Sequence, residues 1–339
     1  MELPDAIKLK YLKFRKLPLY IQIELSGICN SNCEYCDWTT RPKDQMIYLD
    51  TELAKKAVRE SIAMGAFQIS FHVTGESLLH PDFLKIIPDN YSILVSTNCL
   101  LLEGETAEKL STMKKLAIIL SPPWDQDNIR KRGVANALQY MEMNPENRLV
   151  VMQMITSRNS IPQSNYMFRS FSKYLVRPNF QIHYKQPYTQ IPGNPIDGYI
   201  PIIIDPTPGK VFVDCMPTPQ SCGNDCLAFP PNPATSILIQ SDGQIKPCFY
   251  RWAGWKSLFG NIRDTTMMDF WKSDELAEFR RTWCQGDPNA KYTCHDCIRM
   301  AYPNEDVWYG PKGSGIPPTE LNQEQRYRAN EDTPYQKFW

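Results

Sequence analysis

Residues 29–36, Cys29-Asn30-Ser31-Asn32-Cys33-Glu34-Tyr35-Cys36, place three cysteines within eight positions, spaced C-x3-C-x2-C. They follow Tyr20-Ile21-Gln22-Ile23-Glu24-Leu25, whose apolar residues alternate as in a strand. Three soft thiolates on one short loop can hold three irons of a [4Fe-4S] cluster. The next cysteine is Cys99. The fourth iron is therefore expected to lack a protein thiolate and to stand open to a ligand. A structural zinc site closes with four ligands, usually as two CxxC pairs. A disulfide reading fails on the odd count and the tight spacing.

The stretch resembles the cluster loop of the radical SAM superfamily, C-x3-C-x-aromatic-C, with Tyr35 at the aromatic position. The resemblance implies that S-adenosylmethionine chelates the open iron through its amino and carboxylate groups. It also implies reductive cleavage to a 5′-deoxyadenosyl radical that takes a hydrogen atom from substrate. An external one-electron donor of the flavodoxin or ferredoxin type would supply the electron.

The whole chain is compatible with that chemistry. Its 339 residues are 42% hydrophobic and 22% charged, within the range of a globular protein. Formal net charge is zero. No field attracts nucleic acid or an anionic membrane, so neither is expected as a partner. Five basic residues near the N-terminus (Lys8, Lys10, Lys13, Arg15, Lys16) read as a solvated helical face. No apolar run approaches the roughly 20 residues of a membrane span, and the first residues do not show the charged-then-apolar layout expected of a secretory signal. A cytoplasmic location is expected, where clustered cysteines mean metal or catalysis rather than disulfides.

Helices and strands alternate after the cysteine loop. Asp50 is placed to cap a helix running to about Met64, with Leu53, Ala57 and Ile62 among its apolar positions and Gly65 at its end. Strands follow at 67–73, 92–98, 116–121, 149–154 and 180–184, with helices near 104–112, 128–143 and 161–175. The run at 116–121 reads as a strand buried on both faces. Six βα units are short of a closed eight-fold barrel, which takes ~250 residues. The fold class is α/β; an open or partial barrel fits the length, and the resemblance to the radical SAM core implies a partial (β/α)6 barrel. Chemistry in such sheets gathers at the C-terminal ends of the strands.

Thr74-Gly75-Glu76-Ser77 follows the second strand and resembles the "GGEP" segment of the same superfamily. The resemblance implies that Thr74, Gly75 and Glu76 meet the methionine amino group. Gly75 permits close backbone approach, and Glu76 can accept from an ammonium group. Ser96-Thr97-Asn98 resembles the "TNG" turn, with Cys99 where glycine is commoner. Ser121 ends the fourth strand, and Thr156, Arg158 and Asn159 end the fifth. The resemblance makes Tyr35, Ser96, Asn98, Ser121 and Arg158 cofactor-binding candidates. Arg158 can pair with the carboxylate. Cys99 is a weak catalytic candidate as a hydrogen-atom donor, against its reading as a small buried thiol.

Seven cysteines fall after residue 214: Cys215, Cys222, Cys226, Cys248, Cys284, Cys294 and Cys297. Residues 235–248 read as a hairpin turning at Asp242-Gly243. Then come Gly260-Asn261-Ile262, a helix from about Thr266 to Thr282, and Cys294-His295-Asp296-Cys297. This order resembles the SPASM and Twitch extensions of radical SAM enzymes. Gly243 and Cys248 match their G-x4-C, and Cys226 is the nearest match to the cysteine ahead of the hairpin. The resemblance assigns Cys226, Cys248, Cys294 and Cys297 to one auxiliary [4Fe-4S] cluster. Cys215, Cys222 and Cys284 leave room for a second. A zinc knuckle is the alternative for the CxxC.

The expected organisation is an extension (1–17), the partial barrel (18–187), a Pro-rich linker (188–214), a small cysteine-rich α+β auxiliary-cluster domain (215–301) and a tail (302–339). The expected function is that of a radical SAM oxidoreductase or maturase acting on a peptide or protein through crosslinking, thioether formation, epimerisation or oxidation. A dehydrogenase or epimerase of a small polar molecule (aminosugar, cyclitol, nucleoside) is the second reading. A non-enzymatic metal-binding protein is the third.

Overall fold

The computed structural model describes residues 18, 20–33, 36, 38, 43–124, 126–143, 147–154, 161–185, 211–214, 236–247 and 260–278. Its framework is an α/β sheet of nine strands. In chain order these are β1 (Tyr20–Ile23), β2 (Gln68–Phe71), β3 (Ile93–Thr97), β4 (Leu116–Leu120), β5 (Arg148–Met154), β6 (Phe180–Lys185), β7 (Val211–Asp214), β8 (Ser236–Ile239) and β9 (Ile245–Lys246). The spatial order is β7-β6-β5-β4-β3-β2-β1-β8-β9. All neighbours are parallel except the hairpin β8–β9. The sheet does not close into a barrel.

The helices are α1 (Thr51–Ala63), α2 (Phe83–Ile86), α3 (Gly104–Ser111), α4 (Asp127–Met143), α5 (Ile161–Phe171) and α6 (Met267–Lys272). Asp50 starts α1 by accepting from the amides of Glu52 and Leu53 at 3.0 and 3.1 Å, which satisfies two orphan donors of the first turn. Gly65 ends it with a φ of 69°, a conformation open to glycine without a Cβ penalty. The buried stripe is Ala54, Ala57, Val58 and Ser61. Ile62, expected on the apolar face, is 41% exposed and lies off that stripe.

The sheet is sealed unevenly. Ile21, Ile69, Phe71, Ile93, Val95, Ile118, Leu120, Leu149, Val151, Phe180 and Ile182 are buried in one core with the helices. Residues of opposite parity on β3 and β4 (Leu94, Ser96, Ala117, Ile119) are only half-buried. The strand at 116–121 is therefore covered fully on one face, not on both. The alternation is the period-2 consequence of helices packing on a single side. At β1 and β8 both faces are buried.

The chain continues the sheet where the sequence suggested only a linker. Val211–Asp214 pairs in parallel with β6, Ile182 opposite Val211 through Lys185 opposite Asp214. Downstream, β8 lies along β1 in register from Tyr20 opposite Ser236 to Ile23 opposite Ile239. Gly243 turns the hairpin with a φ of 83°. The helix expected over 266–282 is broken at Ser273. That residue ends α6 with extended backbone, and its hydroxyl accepts from the Leu276 amide at 3.2 Å, starting a new turn as a capping serine does.

Candidate active site

Cys29, Cys33 and Cys36 follow β1 and are half-buried. Their loop is anchored at both sides. Trp38 Nε1 donates to the Gly27 carbonyl at 2.9 Å. Gly27 N donates to Ile47 O at 2.8 Å and Leu49 N to Leu25 O at 2.9 Å, so the returning chain runs back along the loop's stem. The Ser26 hydroxyl and the Ile28 amide and carbonyl close a tight turn just before Cys29.

Two turns at the ends of neighbouring strands dock on this loop. Glu76 N, after β2, donates to Ile28 O at 2.8 Å. Gly75 has a φ of 76°, and a Cβ there would stand 2.3 Å from Ser26 O and 2.9 Å from Ile28 O. Only glycine lets these two backbones approach so closely. From the end of β3, Asn98 Nδ2 donates to Asn30 Oδ1 at 2.6 Å, Ser31 Oγ at 3.2 Å and Cys29 Sγ at 3.8 Å.

Glu76 binds the second turn to the third. It is 2% exposed. Its carboxylate accepts from Leu78 N at 3.0 Å, from Asn98 N at 2.7 Å and from the Thr97 side chain. Burial raises its pKa to about 7, against the pull of those donors. The carboxylate is thus engaged inside the protein rather than turned to a ligand. Glu24, which sequence reasoning did not single out, does the equivalent for the other flank. Its Oε1 accepts from Thr74 N and Oγ1 at 3.3 and 2.7 Å, and its Oε2 from Ser241 N in the hairpin turn at 3.1 Å. The available signal was a carboxylate closing an apolar alternating run five residues before a cysteine.

The donor set around the sulfurs suits thiolate. Ser31 N reaches Cys29 Sγ at 3.4 Å and Gln126 Nε2 reaches Cys33 Sγ at 3.7 Å. Burial pushes the Cys29 thiol up to about 11, with the charges of Glu76 and Cys36 adding and the Ser31 and Asn98 donors opposing. A bound cation would supply the compensation that deprotonation needs. Among the described residues no group of three His, Cys, Asp or Glu converges on a single-ion position. A four-iron cube does not ask for that, because each thiolate takes its own iron. Three cysteine sulfurs on one loop, two of them (Cys29 and Cys33) receiving N–H donors, with Gly75 held against the loop backbone, fit a cubane with one protein-free corner.

Residues 226–298 match SPASM, an iron-sulfur cluster-binding domain. The Streptococcus suis SuiB structure bound to S-adenosylmethionine superposes with a TM-score of 0.62 at 16% identity, covering 82% of this chain and 72% of SuiB. SuiB bound to its precursor peptide SuiA gives a TM-score of 0.62 at 16% identity, covering 87% of this chain and 74% of that one. SuiB is a radical SAM enzyme, and at this identity the likeness is one of fold.

This chain has a radical SAM fold carrying a SPASM domain.

In that fold the cysteine loop, Thr74-Gly75-Glu76 and Asn98 come together at the C-terminal ends of β1, β2 and β3. Ser121 is half-buried after β4, its amide donating to Thr97 O at 2.8 Å. Ser96 is half-buried on the sheet face away from the sealed core. Cys99 is fully buried with a φ of 67°, and desolvation raises its thiol well above the ordinary value. Tyr35, Thr156, Arg158 and Asn159 lie outside the described residues, as do all seven late cysteines. The SPASM match begins at Cys226 and includes Cys248, Cys284, Cys294 and Cys297. Cys215 and Cys222 precede it. Among the described residues no helix is long and apolar enough to cross a membrane.

Proposed function

We propose that the protein is a cytoplasmic radical SAM enzyme that modifies a peptide or protein. Cys29, Cys33 and Cys36 would hold a [4Fe-4S] cluster whose open iron takes S-adenosylmethionine. Cluster and S-adenosylmethionine together supply reductive cleavage to a 5′-deoxyadenosyl radical, and the protein's part is to bind and orient.

The observation that carries this reading is the docking of two strand-end turns on one cysteine loop. Gly75 and Glu76 hold the loop's backbone. Asn98 holds its side chains. The Cys29 and Cys33 sulfurs receive N–H donors. The turns after β2 and β3 lie against the loop, and their polar groups would offer donors and acceptors to a zwitterionic methionine moiety. Among the SPASM-segment cysteines, Cys226, Cys248, Cys294 and Cys297 would hold an auxiliary [4Fe-4S] cluster. Cys215, Cys222 and Cys284 are candidates for a second. That centre would accept the electron left on the substrate radical, and a flavodoxin- or ferredoxin-type donor would reduce the first cluster. The peptide class is supported by SuiB, which was determined with a precursor peptide.

The test is product analysis on the anaerobically reconstituted protein with S-adenosylmethionine and a strong reductant. Wild type should form 5′-deoxyadenosine. Replacing Cys29, Cys33 and Cys36 together by Ala should abolish it while leaving iron bound by the later cysteines. Cleavage surviving in the triple variant overturns the assignment.

A further inference from the structure

We propose that Gln126 tunes the reduction potential of the N-terminal cluster by donating an amide N–H to the Cys33 sulfur, with Asn98 doing the same at Cys29. The proposal rests on the reading that this loop holds a cluster.

Gln126 stands immediately before α4. Its carbonyl accepts from Ile129 N at 3.1 Å and Arg130 N at 2.8 Å, which puts it at the helix N-cap. Caps are normally Ser, Thr, Asp or Asn, whose short side chains turn back onto the first amides. A glutamine side chain is poorly suited to that task. Here it reaches instead to Cys33 Sγ at 3.7 Å, across 93 residues of sequence. The 17-residue helix that begins at the next residue holds the backbone of Gln126 in place.

Asn98 makes the matching contact to Cys29 Sγ at 3.8 Å. Its orientation is settled by its other bonds. Oδ1 accepts from Leu100 N at 3.0 Å, and Nδ2 donates to Asn30 Oδ1 and Ser31 Oγ. The N–H side of the amide therefore faces the cysteine loop. Neither amide is needed to ligate iron, and Gln126 has no motif role. An N–H donor on a thiolate sulfur withdraws charge from the cluster. It stabilises the reduced form and so raises the potential. Gln126 is thus a positioning and tuning residue, not a catalytic one.

The experiment is an EPR-monitored redox titration of the full-length reconstituted protein. The signal followed is the one that Cys29, Cys33 and Cys36→Ala eliminates. Gln126→Met keeps the length and removes the donor, and its midpoint should move to more negative potential. Gln126→Glu places a carboxylate at the sulfur and should move it further. Gln126→Asn, a better cap that is too short to reach Cys33, should shift it as Met does while keeping the helix start intact. Identical midpoints in wild type and all three variants, with the signal present, overturn the proposal and leave the cluster reading standing. Absence of any signal dependent on the three cysteines overturns the cluster reading, and the tuning with it.

Discussion

At the scale of single residues, Gly75 carries the tightest constraint at the site. Its φ is positive, and the space a Cβ would take is filled by the Ser26 and Ile28 carbonyls. Gly65 also has positive φ but nothing within 4 Å. Gly65→Ala should therefore cost about 1–2 kcal/mol, the left-handed penalty alone. Gly75→Ala should cost ~3 kcal/mol or more by adding a backbone clash. Urea denaturation of the two variants measures the difference, and iron incorporation at the loop should fall only in Gly75→Ala. Sequence reasoning found that Gly75 serves a close backbone approach. It could not find that the neighbour is another stretch of backbone nearly fifty positions earlier, because nothing local encodes that contact. The same limit applies to Glu76. Its residue type suggested a partner for an ammonium group, but its position behind the turn gives it three internal donors. Burial raises its pKa from 4.5 to about 7. Between those values the folded protein holds a proton that the unfolded chain has released. Its contribution to stability is present below pH 4.5 and is lost as pH rises to about 7. Thermal melts of Glu76→Gln should show a lower midpoint overall but a shallower decline than wild type across that interval.

At the scale of elements, the six strands of the first half were legible because each is a short β-branched or apolar run between turn residues. Their ends moved by a residue or two. The hairpin was legible from Asp242-Gly243, whose φ of 83° is what the turn requires. The strand at 211–214 was not legible. Val211-Phe212-Val213 is brief and follows a Pro-rich segment, so only its pairing with β6 makes it a strand. Nor did sequence show which edge the hairpin would join. Lys56 on α1 supplies part of the answer. Its Nζ donates to the carbonyls of Ile262 at 2.7 Å and Thr265 at 3.0 Å. One turn on, Glu60 Oε2 accepts from Met267 N at 2.7 Å. The Gly260-Asn261-Ile262 element is thus tied to the first helix of the core. Lys56→Met should lower stability by about 1.5–3 kcal/mol, the range for hydrogen bonds to a charged group. A reduced urea midpoint with unchanged iron content at the N-terminal loop is the expected outcome.

At the scale of the whole molecule, β1 is the organising strand. It leads into the cysteine loop, and it is held by β2 on one side and by β8 on the other. Glu24 at its end joins both flanks, to Thr74 and to Ser241. The described part of the SPASM segment therefore enters the same sheet as the cluster loop. The cysteine spacing alone pointed to an iron-sulfur loop with an open corner. The order of the sheet adds the frame that fixes that loop against two strand-end turns. The central claim is that Cys29, Cys33 and Cys36 hold one [4Fe-4S] cluster independently of the later cysteines. Iron and acid-labile sulfide per chain, after anaerobic reconstitution, test it most directly. Wild type should exceed the triple Ala variant by about four irons and about four sulfides. Equal iron in the two proteins would contradict the account.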